Sequence, residues 1–194
     1  MPSDPRPTTR ELDHLVVAAR SLEEGAAWVE SALGVRTQAG GKHPLMGTHN
    51  RLLAIGGRRY LEVIAIDPDA PPPARPRWFG LDDPAIRARI ERGPLLLHWV
   101  ERTGDLDAAL RDYPEKVEVL DATRGDLAWR ITVPADGRLP CGGACPTLIQ
   151  WKGVAHPADR LPPSGVDLLE LRVEGALQAV FSAPAGRRKL PPGN

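Results

Sequence analysis

The chain has few cysteines, no net charge and no long apolar run, and each absence removes a class of function. Lys+Arg and Asp+Glu both total 25 in 194 residues, so the formal net charge is zero. Binding to phosphate backbones needs clustered Lys and Arg, and here they are scattered, so no nucleic-acid partner is expected. The basic cluster Arg187-Arg188-Lys189 reads as a solvated tail. No apolar stretch approaches a membrane span, and the opening Met-Pro-Ser-Asp-Pro is not a signal peptide, so no membrane partner is expected. The default expectation is a cytoplasmic protein. The two cysteines, Cys141 and Cys145, sit in Pro-Cys-Gly-Gly-Ala-Cys-Pro with no second pair to complete a zinc site. They read as incidental thiols in a Gly/Pro turn. Gly40-Gly41 lacks the Lys-Ser/Thr and the following helix of a phosphate-binding loop.

What is present is a near-repeat. Asp13-His14-Leu15-Val16-Val17 is echoed by Leu96-Leu97-His98-Trp99-Val100, each a short apolar strand with an embedded histidine. A leucine that opens a helical stretch follows each histidine by 8 residues, at Leu22 and Leu106. Further on, each half has a strand with one polar residue among apolar ones. These are Glu62, 48 residues after His14, and Gln150, 52 residues after His98.

The first half reads as a strand over 12–18, a helix capped by Ser21 with Glu24 in capping-box position, and a stop at Gly34. A Gly- and His-rich loop over 40–48 follows, as an ordinary turn or a mobile flap. Strands over 50–55 and 60–66, joined by Gly56-Gly57, form a hairpin. The second half repeats one strand, one helix and three strands, and a two-stranded hairpin closes the chain. The expected division is a loose arm over 1–10, a first module over 11–67, a Pro-rich connector with a short helix over 68–93, a second module over 94–160, and a C-terminal extension over 161–194.

Leu12-Asp13-His14-Leu15-Val16-Val17, Gly47-Thr48-His49-Asn50-Arg51-Leu52-Leu53, Tyr60-Leu61-Glu62-Val63-Ile64 and Pro146-Thr147-Leu148-Ile149-Gln150-Trp151 resemble the glyoxalase-like proteins of the vicinal-oxygen-chelate superfamily. The resemblance implies an α+β fold of paired β-α-β-β-β modules around one cleft, here with a short C-terminal β-hairpin extension. It implies a divalent transition metal (Zn, Ni, Co, Mn or Fe) held by His14, Glu62, His98 and Gln150, with Gln150 where many relatives have a second glutamate. It also implies a homodimer.

The residues support several chemistries. Glutamate is almost never buried unpaired, so Glu62 inside an apolar strand needs a metal, a proton or an arginine such as Arg130. A metal would act as Lewis acid on adjacent substrate oxygens, with Glu62 or His49 as general base. Two histidines and a carboxylate would equally suit an iron oxygenase. Asn50, Arg130 and Trp78 are the expected substrate contacts, Arg130 as a carboxylate or phosphate clamp. Trp78-Phe79 could instead anchor a partner chain. The leading expectation is a metal-dependent lyase, isomerase or dioxygenase acting on a small molecule. The alternative is a metal-free protein that sequesters a small ligand in the same cleft.

Overall fold

The computed structural model describes residues 9–174 and 176–190. Its first half runs β1 (Arg10–Ala18), α1 (Leu22–Leu33), β2 (Gln38–His43), β3 (Thr48–Ala54) and β4 (Tyr60–Ile66). A connector carries a single turn of 3₁₀ helix at Trp78–Gly80 and α2 (Pro84–Ile90). The second half runs β5 (Leu95–Thr103), α3 (Leu106–Ala109), β6 (Glu118–Arg124), β7 (Leu127–Val133) and β8 (Thr147–Trp151). β9 (Asp167–Arg172), β10 (Gln178–Ala183) and β11 (Gly186–Leu190) complete the chain.

One eight-stranded sheet takes the order β2-β3-β4-β1-β5-β8-β7-β6. Each half contributes four strands in mirrored order, and the halves meet where β1 pairs antiparallel with β5. Each of those central strands then pairs parallel with the last strand of its own half, β4 or β8. The fold is thus α+β with two β-α-β-β-β units sharing one sheet. The sheet curls until its outer strands, β2 and β6, approach each other.

Strand alternation assigns the two faces. From β1, Leu15 and Val17 pack outward against Val29 and Leu33 of α1, while Val16 and Ala18 join a separate inner cluster. Helix α1 begins where Ser21 Oγ accepts the Glu24 N–H at 3.2 Å. The capping box is incomplete: the Glu24 carboxylate accepts from Arg20 instead of returning to Ser21. The helix ends at Gly34, whose φ of 73° suits the left-handed cap. Gly25 lets α1 lie close on the sheet, because a Cβ there would fall 2.4 Å from Val63 Cγ1.

Three expectations change. The Gly-rich segment is largely an edge strand, β2, and Gly40 is needed because a Cβ would fall 2.0 Å from Asn50 Oδ1. Arg187-Arg188-Lys189 is not a tail. It forms most of β11, which adds a third strand to the C-terminal hairpin and buries Leu190 in the outer core. Cys141 and Cys145 are joined as a disulfide, which closes the Gly-Gly-Ala turn between them. Among the described residues, no helix is long and apolar enough to cross a membrane.

Candidate functional site

The inner face of the curled sheet encloses a small cavity of about 30 Å³. Its walls include His14 from β1, Asn50 from β3, Tyr60 and Glu62 from β4, Trp129 from β7 and Trp151 from β8. Trp78 and Phe79 of the connector cover it. Phe79 takes a φ of 58°, a conformation that costs free energy for any residue with a Cβ and that here turns the connector back over the cleft.

One wall of the site begins at a β-bulge. Leu12 pairs with Glu101 and His14 with Val100, leaving Asp13 as the extra residue in β1. The Asp13 side chain is buried, and it accepts from His14 Nδ1 at 2.6 Å, from His156 Nε2 at 2.9 Å and from Trp151 Nε1 at 3.0 Å. Burial alone would raise the Asp13 carboxyl. The hydrogen bonds and charges of His14 and His156 outweigh it and hold the group well below the usual carboxylate range. His156 is also held in one tautomer, because its Nδ1 accepts from the Ala158 N–H at 3.2 Å. It is no surface histidine but a buried partner of Asp13.

Asp13 occupies His14 Nδ1, so the other ring nitrogen faces the cleft. His14 Nε2 lies 3.7 Å from Glu62 Oε2, too far for a hydrogen bond and close enough for both to touch one bound atom. The Tyr60 ring stacks on His14 at 4.5 Å. Burial, then the charges of Asp13 and Glu62, raise the Tyr60 phenol, so it stays neutral.

Glu62 is held by Asn50, whose Nδ2 donates to Oε1 at 2.6 Å. Asn50 Oδ1 in turn accepts from the Gly41 N–H at 2.8 Å and from Arg124 Nη1 at 3.1 Å. Arg124 also donates to His43 Nε2 at 3.0 Å, while His43 Nδ1 meets Thr48 Oγ1 at 3.1 Å. Burial and then the Arg124 charge push the His43 pKa down to about 3, so this ring is neutral.

His98 lies on the inner face, paired with Val16, but its lone pair is already used. Its Nε2 accepts the Thr147 N–H at 3.1 Å and lies 3.1 Å from Thr147 Oγ1. The proton of the neutral ring therefore sits on Nδ1, which is buried without a partner among the described residues. Burial lowers the His98 pKa to about 3.

The four donors implied for a metal are thus not assembled. Gln150 projects from the opposite face of β8, where its amide donates to the Gly104 carbonyl at 2.6 Å and its oxygen accepts from Leu106 N and Arg130. Register explains the error. The residue two beyond His14 pairs with Glu62, and the residue two beyond His98, Val100, pairs with Thr147. Thr147, not Gln150, is the counterpart of Glu62. A lone pair committed to an amide N–H and a hydroxyl in place of a carboxylate do not fit the implied centre. Among the described residues, no cluster of three or more His, Cys, Asp and Glu side chains could hold a metal.

Two other expectations change for the same reason of alternation. Arg130 lies beside Gln150 on the outer face and pairs with Asp107 at 2.8 Å, so it cannot clamp a ligand in the cleft or neutralise Glu62. His49 neighbours the inward Asn50 in β3 and so faces away from His14 and Glu62. Asn50 and Trp78 do reach the cleft. Arg124, Asp13 and His156 carry no sequence signal of their own, because each enters the site through a hairpin end, a bulge or a loop.

A family model described as "Glyoxalase-like domain" matches residues 12–183. No curated protein matches the sequence. Among solved structures, a hypothetical protein from Staphylococcus aureus is similar with a TM-score of 0.52 at 13% identity, over 93% of this chain and 85% of that one. A methylmalonyl-CoA epimerase in complex with methylmalonyl-CoA and NH4+ is similar with a TM-score of 0.51 at 19% identity, over 77% of this chain and 99% of that one. The epimerase from Mycobacterium tuberculosis has a TM-score of 0.46 at 21% identity, over 74% and 88%. At such identities these likenesses concern the fold. The family match spans the whole eight-stranded sheet apart from the first two residues of β1, and the chain belongs to the glyoxalase-like domain family.

Proposed function

We propose that the chain is a small-molecule enzyme of isomerase or lyase type, which moves a proton at a carbon beside a carbonyl. The observation that carries this reading is the Asp13–His14–Glu62 arrangement in a narrow cleft. Asp13 holds the proton on His14 Nδ1, which leaves the Nε2 lone pair free as the general base. When Nε2 takes the carbon-bound proton, the C–H pair becomes a C=C bond and the carbonyl oxygen takes the displaced π pair. The buried Asp13 carboxylate stabilises the imidazolium that results. Glu62, fixed by Asn50 and 3.7 Å from His14 Nε2, is the second group able to carry a proton, beside His14 on the same side of the reacting carbon. Phe79 and Trp78 exclude water from the intermediate.

A second reading is a binding protein that sequesters a small ligand, supported by the aromatic walls of Trp78, Trp129 and Trp151. Solvent-deuterium exchange, followed by proton NMR over a panel of carbonyl compounds with an acidic α-hydrogen, separates the two. The enzyme reading expects catalysed exchange that disappears in both His14→Gln and Glu62→Gln. Exchange that survives both substitutions would sink it, and saturable binding without any exchange would leave the second reading.

A further inference from the structure

A surface cavity of about 440 Å³ adjoins the cleft, and the side chain that lines both is Arg124. This vestibule lies between the β2 edge, with Gln38 to Gly41, the β6–β7 turn, and the segment from Pro157 to Pro162. It has the volume of an ordinary small-molecule site, whereas the inner cavity accommodates little more than a water-sized group. A ligand that reaches His14 must therefore place a small end inside and the rest of its body in the vestibule.

Arg124 stands at the throat between them, and its charge is not neutralised. Among the described residues it makes no ion pair, and its hydrogen-bond partners are the neutral acceptors His43 Nε2 and Asn50 Oδ1. The other arginine of the vestibule, Arg160, is paired with Asp126. Arg124 is held in the throat by the absence of a side chain beneath it, since a Cβ at Gly41 would fall 2.6 Å from Arg124 Cδ. A half-buried guanidinium without a counter-ion, aimed between two cavities, is built to receive an anion. Leu52, Leu127 and Leu161 give the vestibule an apolar wall suited to a hydrocarbon body.

We propose that Arg124 clamps the carboxylate of an organic acid at this throat, with the acid's apolar body in the vestibule and its reacting carbon directed toward His14 and Glu62. The direction of the reacting carbon rests on the proton-transfer reading; the clamp does not. The test is equilibrium binding, read as quenching of the cleft tryptophans, with malonate, its uncharged diamide, 4-phenylbutyrate and inorganic phosphate as probes. Both carboxylates should saturate and the diamide should not. Arg124→Gln should weaken both carboxylates about tenfold or more, with Arg124→Lys intermediate, because it keeps the charge and loses the planar fork. Gly41→Ala, which retains the arginine and displaces it, should weaken both as well. Ala39→Trp should weaken 4-phenylbutyrate and spare malonate, since it fills the vestibule only. Equal affinity for malonate and its diamide, or carboxylate binding unchanged in Arg124→Gln, would overturn the clamp. Saturation by phosphate alone would overturn the carboxylate assignment. Arg124-dependent binding in a protein that exchanges no substrate proton would keep the clamp and remove the proton-transfer reading.

Discussion

The two halves of the molecule place a histidine at the same point of the same sheet and then use it in opposite ways. In the first half, His14 is held through Nδ1 by a buried carboxylate and presents Nε2 to the cleft, opposite Glu62. In the second, His98 accepts the Thr147 N–H at Nε2 and turns a protonated Nδ1 into the core. The positions that pair with the residue two beyond each histidine, across β1–β4 and β5–β8, hold Glu62 and Thr147. Asp13 precedes His14 where Leu97 precedes His98, and Glu62 has Thr147 as its counterpart, so the first histidine keeps a free nitrogen and the second does not. Backbone symmetry therefore survives in this chain while chemical symmetry does not.

That contrast can be broken most sharply by activity. Once a substrate is identified, His14→Gln and Glu62→Gln should each lower turnover by about 10²–10⁴-fold in a protein that still folds, as removal of a general acid or base does. His98→Gln should instead leave most of the turnover intact. A comparable loss of rate in His98→Gln, in a protein that still folds, would mean that both halves serve the chemistry. Elemental analysis sharpens the same point. The purified protein should carry well under one transition-metal ion per chain, and a stoichiometric metal lost on His98→Ala would show the second histidine acting as a ligand.

Stability should register the second histidine even though turnover does not. His98→Ala leaves the Thr147 N–H without its acceptor in a buried place, a cost of about 1–3 kcal/mol in chemical denaturation. The pH dependence follows from the same burial. His43 and His98 are held near 3, below their ordinary 6.5, so the folded protein keeps them neutral while the unfolded chain takes up protons. Their contribution is complete above about pH 6.5 and drains away as the pH falls toward about 3. Asp13 acts in the same direction at lower pH, where its advantage as a carboxylate is lost below its ordinary 3.8. Urea midpoints should therefore fall steadily on acidification, and His98→Gln should flatten the slope; an unchanged slope would contradict a neutral buried His98.

The smallest effects belong to the outer face of the second half. Gln150→Ala and Arg130→Ala should leave turnover and carboxylate binding unchanged, because both side chains lie across the sheet from the cleft. The Arg130–Asp107 pair is solvent-exposed and screened, so its loss should hardly move the melting midpoint. A strong effect of either substitution on binding would place the ligand on the other side of the sheet.

Much of the architecture was legible because it is written in local chemistry. Ser21 and Gly34 mark the ends of α1, Gly56-Gly57 marks a hairpin, apolar runs mark β1 and β4, and period-two alternation marks β7. Glu62 was legible as a site residue for a physical reason too, since a carboxylate in an apolar strand must have partners. Counting along the chain failed for Gln150 because equivalence across a duplicated sheet is set by hydrogen-bond register. One step of offset in a strand moves a side chain to the other face. The Gly-rich segment failed as a strand because its glycines answer to Asn50 and Arg124, which are distant in sequence.

By itself, the sequence determined the repeated β-α-β-β-β order and the capped helix, because these depend on neighbours within a few residues or on strand periodicity, whereas the meeting of His14 and Glu62 was implied only by the resemblance. Only the tertiary structure decided which histidine keeps a free nitrogen. A ring nitrogen is free or occupied according to what the fold brings within hydrogen-bonding distance: Asp13 through a bulge for His14, and the Thr147 amide through strand register for His98.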